Sequence, residues 1–182
     1  MRKAQIAFDR PIRAWDGFGV NYVETAQTRD YAGDPQEYGG FSRLDDAQRG
    51  EILDLIYGAQ GLRPGLLKMF LDPFHQDGPG QPYDHETTTR WMLFFAREGL
   101  ARTRARGADL SIITALYGPP AWMTLQGFLR GRDLDPDHRQ DCAAYIIDWV
   151  RFLRQEQGLP VDYISLHNEG EDWARWPLDG SG

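Results

Sequence analysis

The chain has 182 residues, the length of one domain or of part of a larger one. Hydrophobic residues make up 41% and charged residues 26%, which is typical of globular proteins and unlike disordered chains. Twenty basic residues against 27 acidic residues give a net charge of −7. This balance argues against the basic surface that phosphate binding requires, so we expect no nucleic-acid partner.

The single cysteine, Cys142, excludes an intrachain disulfide and a zinc site built from several cysteines. Its neighbours predict a small buried residue on an apolar helix face. No apolar run approaches the length of a transmembrane helix, and residues 1–9 lack the apolar core of a signal peptide. We therefore expect a soluble chain without a membrane partner, cytoplasmic as given or secreted if the true N-terminus lies upstream.

Strand-like and helix-like segments alternate along the chain. Short apolar runs bounded by polar or glycine residues predict strands at 17–23, 66–71, 110–116 and 161–167. Helical spacing of apolar residues predicts helices at 44–57, 87–106 and 138–157, and glycines follow each of them. This alternation favours a parallel sheet covered by helices. The predicted strands start 49, 44 and 51 residues apart.

The long connections follow the strands and run over 24–43, 72–86 and 117–137. Because α/β folds carry their chemistry on loops at the carboxyl ends of parallel strands, we expect the functional residues there. An additional strand is predicted at 5–13, outside the repeat.

The segment after the fourth predicted strand reads His-Asn-Glu-Gly, with Asn168 and Glu169 at its centre. A carboxylic acid in this position, next to an amide, can protonate a leaving group if burial or nearby negative charge raises its pKa. Glu171 and Asp172 could supply that charge. The amide of Asn168 could bind a substrate hydroxyl.

Two further segments carry candidate residues. Residues 115–123 read Ala-Leu-Tyr-Gly-Pro-Pro-Ala-Trp-Met, and the two prolines place Trp122 on a stiff backbone after the third strand. Trp122 could form a sugar-facing wall or fill the mouth of a barrel. The glycines of Gly-Phe-Gly at 17–19 permit close backbone approach in the first strand, but they do not form a dinucleotide fingerprint.

Together these segments resemble glycoside hydrolase family 30 of clan A. The resemblance rests on Gly-Phe-Gly at 17–19, Pro-Pro-Ala-Trp-Met at 119–123 and Asn-Glu at 168–169. It covers about residues 15–172. It implies a (β/α)8 TIM barrel with a side β-sandwich that hydrolyses β-linked oligosaccharides or polysaccharides with retention, without a cofactor or a metal. Residues 1–14 would then hold the additional strand, and residues 15–182 would be the N-terminal half of the barrel, with four βα units.

By this resemblance Glu169 is the general acid/base, Asn168 contacts the sugar 2-hydroxyl, and Trp122 lines the donor-sugar subsite. Lys68 stands where the family commonly has Arg, and it keeps the charge without the bidentate fork. Gly170 and His167 replace the Pro and Gln that are usual in relatives. These departures concern the substrate more than the reaction class, and His75 is a further candidate for the sugar cleft.

A retaining glycosidase needs a second carboxylate, roughly 5–5.5 Å from the first, which attacks the anomeric carbon. The resemblance places that nucleophile after the seventh strand, whereas this chain stops after the fourth. We therefore expect an inactive half of a barrel whose partner is the missing C-terminal half.

Two alternatives stay open. A catalytically dead carbohydrate-binding protein would keep Trp122 and lose turnover. A metal-dependent enzyme could use the side chains after the second strand, namely Asp72, His75, Asp77, Asp84, His85 and Glu86. Their irregular spacing favours a solvated acidic loop over a metal site, because the two histidines do not form an i, i+4 pair.

Overall fold

The computed structural model describes residues 7, 9, 10, 12, 17–23, 40–129, 131, 133–166 and 168. The strands are β1 (Gly19–Asn21), β2 (Leu66–Leu71), β3 (Ser111–Leu116) and β4 (Val161–Ser165). The α-helices are α1 (Asp46–Tyr57), α2 (Arg90–Ala105) and α3 (Arg139–Arg151). Short 3₁₀ turns lie at Phe41–Arg43, Ala121–Met123 and Pro136–His138, and a π-helical turn at Phe152–Glu156 continues α3.

The four strands form one sheet in the order β1-β2-β3-β4, and every neighbouring pair is parallel. Each strand therefore pairs with the next strand along the chain. The predicted alternation of strands and helices and the predicted parallel sheet are confirmed. The prediction of an additional strand at 5–13 falls largely outside the described residues.

The two faces of the sheet differ. One face carries the alternate residues Leu67, Met69 and Leu71 of β2, which pair with Ile112, Thr114 and Leu116 of β3, and all six are buried. This face packs against the helices, because the indole Nε1 of Trp149 in α3 donates to the Thr114 hydroxyl at 2.8 Å. The opposite face carries Lys68 and Phe70, in register with Ile113 and Ala115. The helices cover the first face, and Phe70 and Ala115 on the opposite face are also buried.

Helix α1 begins two residues later than the apolar pattern predicts, because Asp45 caps it. The Asp45 carboxylate accepts from the backbone N–H of Gln48 at 2.8 Å, and the Gln48 side chain accepts from the Asp45 N–H at 3.1 Å. This reciprocal capping box satisfies backbone donors that the first turn leaves without a helical partner. Helix α2 likewise begins at Arg90, three residues after the predicted start.

Helices α1 and α2 approach each other closely at Gly99 of α2. A Cβ atom on this glycine would lie 2.7 Å from the ring of Tyr57, the fully buried last residue of α1. Cys142 is buried on α3, as predicted, and burial raises the pKa of its thiol. Among the described residues, no helix combines the length and apolar character needed to cross a bilayer.

Candidate functional site

The carboxyl ends of β2, β3 and β4 lie at one edge of the sheet, because the strands are parallel. The predicted functional residues belong to the segments that follow these strands, apart from Lys68, which lies within β2. Strand β1 packs closely against β2 at Gly19, where an added Cβ atom would lie 2.9 Å from the Leu66 side chain. A larger residue at this position would require the Leu66 side chain to shift.

Lys68 and Asn168 contact each other directly. The Nζ atom of Lys68 donates to Oδ1 of Asn168 at 2.8 Å, which joins the middle of β2 to the segment after β4. Asn168 is buried, whereas Lys68 is half-buried. The Nζ atom also lies 4.8 Å from the centroid of the Phe70 ring on the same face, a cation–π distance. Lys68 and Asn168 are thus two predicted site residues that the structure joins by a hydrogen bond.

Trp122 occupies the short 3₁₀ turn Ala121–Met123 that follows the two prolines. Its indole Nε1 donates to the backbone carbonyl of Gln76 at 3.2 Å, and its ring meets His138 edge to face at 5.2 Å between centroids. The side chain is half-buried. The segments after β2 and after β3 are therefore joined through this tryptophan, which keeps part of its surface accessible.

His75 has no exposed surface, in contrast to the predicted position in a sugar cleft. Its backbone N–H donates to the hydroxyl of Tyr145 at 3.1 Å, and that hydroxyl donates to the carbonyl of Asp72 at 2.6 Å. Its ring packs edge to face against Trp149, with 4.9 Å between centroids. Packing against α3 encloses this histidine, so its position offers no direct contact with a sugar.

The ring of His75 meets the ring of His85, with 2.8 Å between their Nδ1 atoms. Nε2 of His85 lies 3.1 Å from the Asp148 carboxylate, and Nε2 of His75 lies 3.5 Å from the Asp72 carboxylate. Burial, aided by the nearby charge of His75, lowers the pKa of His85 to about 4, although Asp148 opposes the shift.

The carboxyl of Asp72 lies on the far side of His75 from His85. Burial alone would raise its pKa, but the charge of His75 and hydrogen bonds from His75 and from the Phe74 N–H hold that pKa below its usual range.

The prediction of a solvated acidic loop after β2 is therefore wrong for part of that segment. Asp72, His75 and His85 are buried, because the segment folds back onto α3, whereas Asp77, Asp84 and Glu86 are exposed. In the described part of the chain, no group of three or more His, Cys, Asp or Glu side chains could hold a metal ion.

The predicted acid/base residue, Glu169, lies outside the described residues, as do His167 and Gly170. The Lys68–Asn168 contact and the buried histidine pair were not predicted from the sequence as contacts. The only sequence signal for the pair was the presence of both histidines in one inter-element segment.

No family model matches the sequence, and no curated protein matches it. Solved structures with a similar fold include SrfJ from Salmonella typhimurium, with 17% identity and a TM-score of 0.63 over 85% of this chain. A conserved exported protein from Bacteroides fragilis is 15% identical, with a TM-score of 0.67 over 97% of this chain. The catalytic domain of GH30 xylanase C from Talaromyces cellulolyticus is 14% identical, with a TM-score of 0.52 over 84% of this chain.

At these identities the similarity shows the fold alone. The chain spans 34% of the SrfJ structure, 38% of the Bacteroides fragilis protein and 36% of the xylanase domain, so it corresponds to about a third of each.

Proposed function

We propose that this chain is the N-terminal half of the (β/α)8 barrel of a retaining β-glycosidase related to glycoside hydrolase family 30. The observation that carries the proposal is the bond between Asn168, just beyond β4, and Lys68 of β2. This bond holds the side-chain amide of Asn168 at the carboxyl edge of the parallel sheet. Glu169 is the next residue in the sequence. The similarity to a glycoside hydrolase catalytic domain supports the same reaction class.

The contact with Lys68 determines which way the Asn168 amide faces. An ammonium group only donates hydrogen bonds, so the atom turned toward it must be the carbonyl Oδ1. The Nδ2 group, which lies in the same amide plane, then points in a different direction from the Lys68 ammonium group. In the proposed site it donates to the sugar 2-hydroxyl, and the half-buried ring of Trp122 lies against the sugar.

Glu169 would act in both steps of a double displacement. It first donates its proton to the oxygen of the leaving group while a second carboxylate attacks the anomeric carbon and forms a glycosyl–enzyme ester. It then takes a proton from the water that cleaves this ester. The two carboxylates need to lie roughly 5–5.5 Å apart. We propose that the nucleophile belongs to the remaining half of the barrel.

The outer strands of the sheet support a continuation of the barrel. Among the described residues, β1 pairs with β2 alone and β4 pairs with β3 alone. Tyr163 and Ile164 of β4 lie on opposite faces and are 57% and 48% exposed, and Leu166 beyond them is 70% exposed. An exposed apolar strand edge invites pairing, and closing a barrel removes it. Further strands on β4 would cover these side chains.

The test expresses the complete reading frame that contains these residues and assays it on aryl β-glucosides, xylosides, galactosides and fucosides. We expect turnover with the β-anomer as first product, and a loss of about 10²–10⁴-fold in Glu169→Gln, larger for poorer leaving groups. Glu156→Gln is the matched control, because Glu156 is an exposed carboxylate on the π-helical turn.

Sugar binding that Trp122→Ala abolishes, without hydrolysis of any glycoside by the complete protein, would replace the proposal with a carbohydrate-binding function. Turnover by the 182-residue chain alone, abolished by Glu169→Gln, would contradict the proposal that the nucleophilic carboxylate belongs to the remaining half of the barrel.

A further inference from the structure

An imidazole stands beside Trp122 in the segment between β3 and α3. The ring of His138 meets the indole at an interplanar angle of 89°, with 5.2 Å between the centroids. Its Nδ1 atom lies 2.8 Å from Oδ2 of Asp141, an acidic residue in the first turn of α3. The two rings therefore form the walls of a corner, and a carboxylate holds one of them.

Backbone hydrogen bonds fix His138 next to the turn that carries Trp122. The N–H of Asp135 donates to the carbonyl of Met123, the residue after Trp122, at 2.9 Å. The N–H of His138 then donates to the carbonyl of Asp135 at 3.0 Å, within the 3₁₀ turn Pro136–His138. The spacing of the two rings is therefore set by the folded segment as well as by their side-chain rotamers.

The contact with Asp141 determines where the hydrogens of the imidazole lie. An ionised carboxylate only accepts hydrogen bonds, so Nδ1 of His138 carries a hydrogen whether the ring is neutral or charged. In the neutral ring the lone pair is then on Nε2, which is a hydrogen-bond acceptor. Among the described residues Nε2 has no hydrogen-bond partner, and 28% of the side-chain surface is exposed. The imidazole therefore offers an oriented acceptor to a ligand.

An acceptor beside an indole matches the chemistry of a sugar. A pyranose presents C–H groups on its faces and hydroxyl groups around its rim. When one face packs on the indole, the hydroxyls point sideways, within about one ring width of an imidazole whose centroid lies 5.2 Å from that of the indole. A hydroxyl can donate to the Nε2 lone pair, whereas an apolar ligand would leave that acceptor without a donor.

We propose that Trp122 and His138 form one sugar subsite, in which Nε2 of His138 accepts a hydrogen bond from a hydroxyl of the sugar packed on the indole. Asp141 is a positioning residue, because it fixes the tautomer of the imidazole and touches no sugar itself. The identity of the ligand as a sugar rests on the proposed function, whereas the tautomer of His138 does not.

The first experiment determines the tautomer without a sugar. Long-range ¹H–¹⁵N spectra of the full chain at pH 8.5, with His138 assigned by substitution, report which ring nitrogens carry hydrogen and whether the ring is neutral. We expect hydrogen on Nδ1 alone, and a mixture of the two tautomers in Asp141→Asn. A wild-type ring that carries its hydrogen on Nε2 would overturn the assignment of the acceptor.

Asp137→Asn is the matched control for Asp141→Asn. It removes the same charge one residue away from His138, at an exposed side chain whose backbone N–H bonds to Asp135. We expect the tautomer to stay that of the wild type in this variant. An equal change in the two variants would show that general charge, and not the contact with Asp141, sets the tautomer, and would overturn the positioning role.

The second experiment titrates the complete protein, in a Glu169→Gln background that prevents hydrolysis, with the methyl β-glycosides of glucose, xylose, galactose and fucose. We expect at least one of them to shift Nε2 of His138 and the Trp122 indole with the same dissociation constant. His138→Phe keeps a ring beside Trp122 but removes the acceptor, so affinity should fall about 3–10-fold, the loss of one hydrogen bond. His138→Gln keeps an amide acceptor near the position of Nε2 and should retain more affinity than His138→Phe.

Tighter binding by His138→Phe than by His138→Gln would show that the ring only packs against Trp122, and it would overturn the subsite. Hydrolysis of a glycoside by a complete protein in which all four sugars leave both resonances unchanged would also overturn the subsite, while the proposed function stands. Binding with the expected order of the variants, but without hydrolysis by the wild type, would support the subsite and contradict the glycosidase proposal.

Discussion

The side chains of Lys68 and Asn168 meet at 2.8 Å although 100 positions separate them in the chain. One belongs to the second strand and the other follows the fourth, so the third strand lies between their elements in the sheet. The contact therefore crosses β3 and depends on the parallel pairing of β2 with β3 and of β3 with β4.

Replacing Lys68 with Met should destabilise the fold by about 1–3 kcal/mol, because the buried Asn168 carbonyl loses a charged donor. The side-chain amide resonances of Asn168 should shift as well. Lys68→Arg is the control, since it restores the charge and the donors, and it should recover most of the loss. Equal stabilities of the Met and Arg variants in urea unfolding would show that the bond contributes nothing.

Stability should fall as the pH decreases from about 6.5 to 4. The folded pKa of His85 is about 4, below its unfolded value of about 6.5, so the unfolded chain binds more protons across this interval. The full difference corresponds to about 3 kcal/mol. Urea unfolding at a series of pH values measures the slope, and His85→Gln should reduce it.

His138→Gln is the control for this pH dependence, because the side chain of His138 is more exposed and lies outside the buried pair. It should leave the slope between pH 4 and 6.5 close to that of the wild type. A wild-type slope that His85→Gln leaves unchanged would show that other groups cause the acid lability. Asp72 contributes separately and below this interval, because its pKa is lowered from 3.8 and its stabilisation is lost when it protonates.

Two glycine substitutions should have opposite effects. Gly99→Ala places a Cβ atom 2.7 Å from the buried Tyr57 ring, so overpacking of about 1–3 kcal/mol should exceed the gain in helix propensity. Gly50→Ala, inside α1 with open space around its Cβ position, should stabilise by about 0.5–1 kcal/mol. Thermal unfolding of the two variants tests this, and a stabilised Gly99→Ala would contradict the close approach of α1 and α2.

The Trp149–Thr114 hydrogen bond joins α3 to the sheet and suits a double-mutant cycle. Trp149→Phe and Thr114→Val should each cost about 1–3 kcal/mol, because each leaves a buried polar group without its partner. The double variant should cost less than the sum by about 1 kcal/mol. Strict additivity in guanidinium unfolding would exclude an energetic coupling between these side chains.

Local patterns predicted the elements well where one face of the element is buried. Strand β2 is apolar apart from Lys68, and its bounds agree with the prediction. The start of α1 was missed by two residues, although Asp45 and Gln48 form a capping signal that the sequence contains. The π-helical turn after α3 has no comparable signal, because the apolar residues Phe152 and Leu153 fit an ordinary helix equally well.

The site was less predictable, because its contacts depend on tertiary structure. Trp122 could be singled out since two prolines precede it, and the structure gives it a half-buried ring on a short turn. The sequence leaves His75 a candidate for the sugar cleft, because its spacing to His85 does not reveal that the segment folds back onto α3. The packing of Tyr145 and Trp149 from that helix, which no local pattern predicts, helps to bury the two histidines.

The sheet order has a consequence for how the chain assembles during synthesis. Every strand pairs with its predecessor, so each new βα unit can dock onto the units already folded as it leaves the ribosome. Among the described strands, none waits for a partner made much later, which keeps most loop closures short. The exception is the bond from Asn168 back to Lys68. The sheet can therefore form progressively, whereas the amide at the proposed site is oriented only after the fourth unit is complete.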